Sequence, residues 1–180
     1  MLIETLITDL SKNPFDPKLN YEIAQAYENI GQTASAISFY LRTAEYGDHS
    51  DYVYCSLIKA AQCFETQQNR QATVENLIYK AIAHDPDRPE GYFWLARFYD
   101  RSKKWQECYT FAQIGLHASD QAPLFDDLGY DPLYLIFEKA VSAWWIGRKD
   151  ESIKDFNYLL TKDIPTNYRQ AIESNLARIQ

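Results

Sequence analysis

Most of the features that betray a chemistry or a compartment are scarce in this chain. No apolar run approaches the ~18 residues of a membrane span, so no transmembrane helix and no membrane partner is expected. The three cysteines, Cys55, Cys63 and Cys108, form no C-x-x-C pair and leave one unmatched in any disulfide scheme. That pattern favours a reducing compartment, with all three as small core residues. Positive charge is short: 18 Lys and Arg face 25 Asp and Glu, a net charge of −7 with a pI near 4.9. Such a balance argues against a protein that holds nucleic-acid phosphates by counterion release. The N-terminal MLIETLITDL places Glu4 and Asp9 where a signal peptide carries Lys or Arg, so a cytoplasmic location is expected. Glycine and proline are few, six and seven, against 46% hydrophobic and 15% aromatic residues, which predicts order nearly end to end.

Catalytic patterns are missing too. There is no G-x-S-x-G, no Gly-rich phosphate loop and no cysteine with an evident base beside it. His49, His84 and His117 fall near the ends of expected helices, where a cation suits the carbonyl end, and none has a Cys or His at zinc-ligand spacing. Asp85-Pro86-Asp87 spells D-x-D but sits in a turn between two repeats, and Asp126-Asp127 are expected to be solvated loop residues rather than paired catalytic carboxylates. The expectation is no enzyme, no cofactor and no metal.

What is present is a repeated packing pattern. Pro89 to Leu116 is its best copy: Tyr92, Leu95, Ala96 and Tyr99 at helical spacing, a polar turn at Ser102-Lys103-Lys104, then Trp105, Cys108, Phe111, Ala112 and Gly115. The same spacing recurs as Asn20-x2-Ile23-Ala24-x2-Tyr27 with Ala36-x3-Tyr40, as Leu57, Ala60, Ala61 and Phe64 with Leu77, Ile78 and Ala81, and less regularly as Ala140, Ala143 and Gly147 with Ser152-x3-Phe156. The anchors Tyr27, Phe64, Tyr99 and Ala143 are 37, 35 and 44 residues apart. The second turn, Gln67-Gln68-Asn69-Arg70, is one residue longer than usual, and the third interval carries an insertion. Small residues permit close helix crossing and large ones fill the groove, a packing code without catalytic content.

This spacing matches the tetratricopeptide (TPR) repeat, with Asn20 standing where the template has Trp. The expected fold is all-α, a right-handed alpha-alpha superhelix of about four helical hairpins in one domain. It divides into a capping helix at 1–12 carrying Leu2, Leu6 and Leu10, repeats at 16–47, 51–86, 89–118 and 132–162, an insertion loop at 119–131, and a second cap at 165–179. Asp16 should be the N-cap of the first repeat with Pro17 at the first helical position, and Gly31 its stop. Leu124, Phe125, Leu128 and Tyr130 of the insertion are expected to pack. Trp105 should serve as a bulky core residue, and of Trp144 and Trp145 one should be core while the other lines a surface.

DPKLNYEIAQAYENIGQTASAISFYLRTAE, CSLIKAAQCFE, RPEGYFWLARFYDRSKKWQECYTFAQIGL and the Ile136 to Trp145 stretch also resemble the TPR-like helical region that follows the catalytic domain in some family-2-type glycosyltransferases. The nucleotide-sugar-binding half of those enzymes has no counterpart in this chain. The resemblance implies that the first helix of each hairpin lines a concave face. On it would lie Tyr21, Gln25 and Glu28, then Lys59, Gln62 and Glu65, then Phe93, Arg97 and Arg101, then Tyr134 and Phe137. Aromatic and polar groups in this mix suit an extended peptide or a protein surface, with Arg97 able to hold a carboxylate. The expected function is a non-catalytic interaction scaffold for a protein or peptide; the alternative is an accessory module that positions a glycosyltransferase or its acceptor.

Overall fold

The computed structural model describes residues 3–47, 50–118 and 124–179, and of Asp126 and Ile179 the backbone alone. Leu2, His49 and residues 119–123 lie outside them. The chain divides into two compact units, residues 1–87 with 122–128 and residues 88–121 with 129–180.

The first unit holds α1 (Ile3–Leu10), α2 (Pro17–Asn29), α3 (Thr33–Tyr46), α4 (Asp51–Thr66) and α5 (Gln71–His84), with a 3-10 turn at Asp126–Leu128. Each helix packs on the next, and α2 also meets α4. The start of α2 follows from its sequence: Asp16 Oδ1 accepts the Leu19 N–H at 2.8 Å, and Pro17 at the first position gives up only a donor that would be orphaned anyway. Asn20, in place of the template Trp, is fully buried because its Nδ2 donates to the carbonyls of Pro14 (3.1 Å) and Asp16 (2.8 Å), closing the loop ahead of the helix. Leu6 and Leu10 of α1 pack on Ile23, Leu19, Tyr27 and Phe39, so the short helix covers apolar surface of α2 and α3. Helix α4 is the centre of the unit, buried continuously from Val53 to Ala61. Burying each large side chain there contributes roughly 1.5–3 kcal/mol.

The second unit holds α6 (Pro89–Arg101), α7 (Trp105–His117), α8 (Pro132–Trp145), α9 (Lys149–Leu160) and α10 (Thr166–Ile179). Successive helices pack in order and α6 also meets α8. Asp131 Oδ1 accepts the Leu133 N–H at 2.7 Å and Pro132 opens α8, the same device that starts α2. Gly115 is required by close packing: a Cβ there would stand 2.8 Å from Tyr92 Cβ and 3.0 Å from Leu135 Cδ1. Ala140, Phe156, Leu159, Ile164 and Ile172 form a core shared by α8, α9, α10 and the loop before α10.

Trp145 is the surface member of the Trp144-Trp145 pair, as expected, but neither Trp144 nor Trp105 takes the core position expected of it. Trp105, the first residue of α7, is half-buried and stacks on Trp145 with ring centroids 5.2 Å apart and planes 13° apart. Trp145 is 60% exposed, and Trp144 is half-buried with the Lys149 ammonium 4.7 Å from its ring centroid. The fully buried position at this end of α8 belongs to Ala143, because only a small residue fits where the helices cross. Cys55, Cys63 and Cys108 are free and buried.

Candidate functional site

In each unit the first helices of successive hairpins are neighbours, so α2 with α4 and α6 with α8 each form one face. On the α2–α4 face the structure gathers Tyr21, Gln25, Lys59 and Gln62 around a single object, the segment 124–128. Tyr21 Oη donates to the Asp127 carboxylate at 3.3 Å and Gln25 Nε2 donates to it at 2.9 Å. The Lys59 ammonium stands 3.7 Å from Asp127 Oδ2. Gln62 Nε2 donates to the Leu128 main-chain carbonyl at 3.3 Å. Phe125 packs 5.3 Å from both the Tyr21 and the Tyr52 rings, and Leu128 is fully buried. Asp127, expected to be a solvated loop residue, is exposed and is also the acceptor on which these side chains converge.

On this face one ammonium stands between two carboxylates, those of Glu28 and Asp127. Lys59, buried along its stem, donates to Glu28 Oε1 at 2.9 Å, and Tyr40 Oη donates to Glu28 Oε2 at 2.6 Å. A buried ammonium is tolerable only when paired in this way. Burial, and then the Asp127 charge, push the Tyr21 phenol far above its ordinary value, so it stays a donor. Burial and the bond to Glu28 do the same for Tyr40. Beside the segment a cavity of about 420 Å³ remains, lined by Tyr21, Glu22, Gln25, Tyr52, Leu124, Phe125 and Asp127.

The α6–α8 face is more open. Phe93 is fully buried, with ring contacts to Trp94, Tyr130 and Tyr134, so it supports the face from beneath. The Arg97 guanidinium lies 5.4 Å from the Trp94 ring centroid and 5.9 Å from that of Phe93, and Nη1 donates to Tyr168 Oη at 3.5 Å. Tyr134 stacks on Tyr168 with centroids 4.4 Å apart and planes within 3°. Arg101 is exposed. Arg97, Arg101, Tyr134 and Tyr168, with Asp100, Gly129, Phe137, Glu138, Asn167 and Ala171, line a cavity of about 480 Å³.

Asp100 and Glu138, which line that cavity, and the fully buried Cys108 bring one potential ligand atom each within 4.8 Å of one another. Among the described residues this is the grouping that could hold a metal, and sequence spacing could not reveal it because the three come from α6, α7 and α8. Glu138 is 4% exposed and its Oε2 has no hydrogen-bond partner. Burial, reinforced by the Asp100 charge, pushes its carboxyl up to about 8, while Arg97 and Arg101 pull the other way. Asp100 is raised by burial against the same two arginines. Cys108 is raised by burial and donates its thiol to the Glu138 carbonyl at 3.6 Å. Two guanidinium groups thus supply the positive charge beside the acids, and of the two carboxyls it is the buried Glu138 whose acid form the site favours.

No protein-family model matches the sequence, and no curated protein matches it. Solved structures do match. YrrB, a TPR protein with an unusual peptide-binding site, is 13% identical with a TM-score of 0.69 over 90% of this chain and 76% of that one. MamA is 14% identical with a TM-score of 0.68 over 98% and 89%. TTC0263, a thermophilic TPR protein of Thermus thermophilus, is 15% identical with a TM-score of 0.68 over 97% and 89%. The fold is tetratricopeptide-like. It is all-helical throughout the described residues, in the class of alpha-alpha superhelices. These neighbours carry the repeat half of the resemblance drawn from the sequence and nothing of its glycosyltransferase half. Among the described residues no helix is long and apolar enough to cross a membrane.

Proposed function

We propose that the chain is a non-catalytic interaction scaffold that binds a peptide or protein partner on the faces formed by its first helices. The observation that carries this reading is the α2–α4 face, where Tyr21, Gln25, Lys59 and Gln62 already hold a stretch of polypeptide through one side-chain carboxylate and one main-chain carbonyl. Contacts to main chain and to one side chain together are how a groove reads a peptide. In the second unit Arg97, Arg101 and Tyr134, carried on buried Phe93, offer cation and aromatic surface to a partner. The similarity to YrrB, a peptide-binding-site protein of the same fold, supports the reading.

A peptide library displayed on phage, selected against the full chain, tests it. Enriched peptides are expected to bind the wild type and to weaken at least tenfold against either Gln25→Ala with Gln62→Ala or Arg97→Ala with Arg101→Glu, the helical circular dichroism being unchanged. Peptides that bind both double variants with wild-type affinity would place the binding surface elsewhere.

A further inference from the structure

We propose that residues 124–128 are an internal ligand of the α2–α4 face, and that its external partner is an acidic peptide carrying the same chemistry, an aromatic residue followed at the second position by aspartate and at the third by leucine, which binds by displacing this segment. The inference rests on the reading of first-helix faces as binding surfaces and names the ligand of one of them.

The segment is built as a ligand would be. Its 3-10 turn, closed by the Leu128 N–H donating to the Phe125 carbonyl at 3.2 Å, puts residues three apart on one side, so Phe125 and Leu128 face the helices together. Phe125 fills the space between the Tyr21 and Tyr52 rings. Three groups from α2 and α4 meet one carboxylate, a phenol and an amide donating to it and an ammonium beside them, and together they favour an anionic acceptor. Gln62 takes a main-chain carbonyl, a contact that any peptide in the same register can supply.

The segment is also placed to be exchanged. The Asp127 side chain is 34% exposed, and the adjoining cavity lined by Glu22, Tyr52 and Leu124 leaves room for a second chain to engage before the first has left. A tethered competitor acts at an effective concentration of about millimolar, and a groove that is open for only a fraction of the time loses apparent affinity by that fraction.

Fluorescence anisotropy with a labelled peptide of the sequence LFDDLGY, the sequence of residues 124–130, tests the proposal. Full-length chain carrying Phe125→Ala with Asp127→Asn is expected to bind it at least tenfold more tightly than wild type, and peptides with the same two changes should not bind. Equal affinity for the two proteins, or no binding to the released variant, would overturn the proposal. In the wild type, saturating peptide should speed hydrogen exchange at the Leu128 amide; unchanged exchange with peptide bound would also overturn it, and this arm needs no variant to fold. The scaffold reading fails separately, when no selected peptide depends on either first-helix face.

Discussion

A carboxyl group with 4% exposure, one partnerless oxygen and a second acid beside it costs the fold when it ionises, and Glu138 is that group. Its acid form is favoured in the native chain, where it titrates near 8, while the unfolded chain releases the proton near 4.5. Across that window the native state holds the extra proton, so this group lowers stability as pH rises and the loss is complete above about 8. Glu138→Gln, which cannot ionise, should therefore stabilise the chain at pH 8 by on the order of 4 kcal/mol, one pKa unit being about 1.4 kcal/mol, and by almost nothing at pH 4.5. Urea unfolding at both pH values measures it; an equal effect at the two would mean that packing, not protonation, sets the cost. Neither this group nor Asp127 was legible in the sequence. Glu138 reads as an ordinary polar helix position, and the partners of Asp127 on α2 lie 102 and 106 residues away, so only the folded chain brings them together.

Turns were legible because their residues carry backbone constraints. After α2 the Gly31 φ is +75° and Gln32 N–H donates to the Tyr27 carbonyl at 2.9 Å; after α8 the Gly147 φ is +86° and Arg148 N–H donates to the Ala143 carbonyl at 2.8 Å. The α6–α7 turn makes the same bond, Lys104 N–H to the Tyr99 carbonyl at 2.9 Å, but its left-handed residue is Lys103 at φ +57°. Tyr27, Tyr99 and Ala143, three of the four sequence anchors, are thus also the residues whose carbonyls close α2, α6 and α8. A side chain at positive φ costs more than glycine does there. Lys103→Gly should raise stability by roughly 0.5–1 kcal/mol, a Tm gain of about 2 °C for a chain of this size. A calorimetric scan showing no gain or a loss would mean that the lysine side chain makes up for its backbone strain. The α4–α5 turn, one residue longer with Gln68 and Asn69 both at φ 55°, closes differently, with Gln67 N–H donating to the Phe64 carbonyl at 3.1 Å, and its extra residue marked it in the sequence.

For the molecule as a whole, helix positions and the all-helical class followed from the spacing of apolar residues, because that spacing is the packing surface itself. Placement on the first-helix faces was harder to read. Tyr21 and Phe93 were expected to be offered to a partner, and they are 2% and 0% exposed. A repeat template assigns a residue to a face but cannot say what else the chain lays on it. The insertion announced itself by its length and its apolar residues, and its destination came only with the structure. Side-chain amide resonances of Gln25 and Gln62, followed by NMR as a selected peptide that Gln25→Ala with Gln62→Ala weakens is titrated into the 21.0 kDa chain, test the central claim most directly. Both pairs of signals should shift and saturate with the binding curve. Saturation with both unmoved, while signals of α3 and α5 shift, would contradict it.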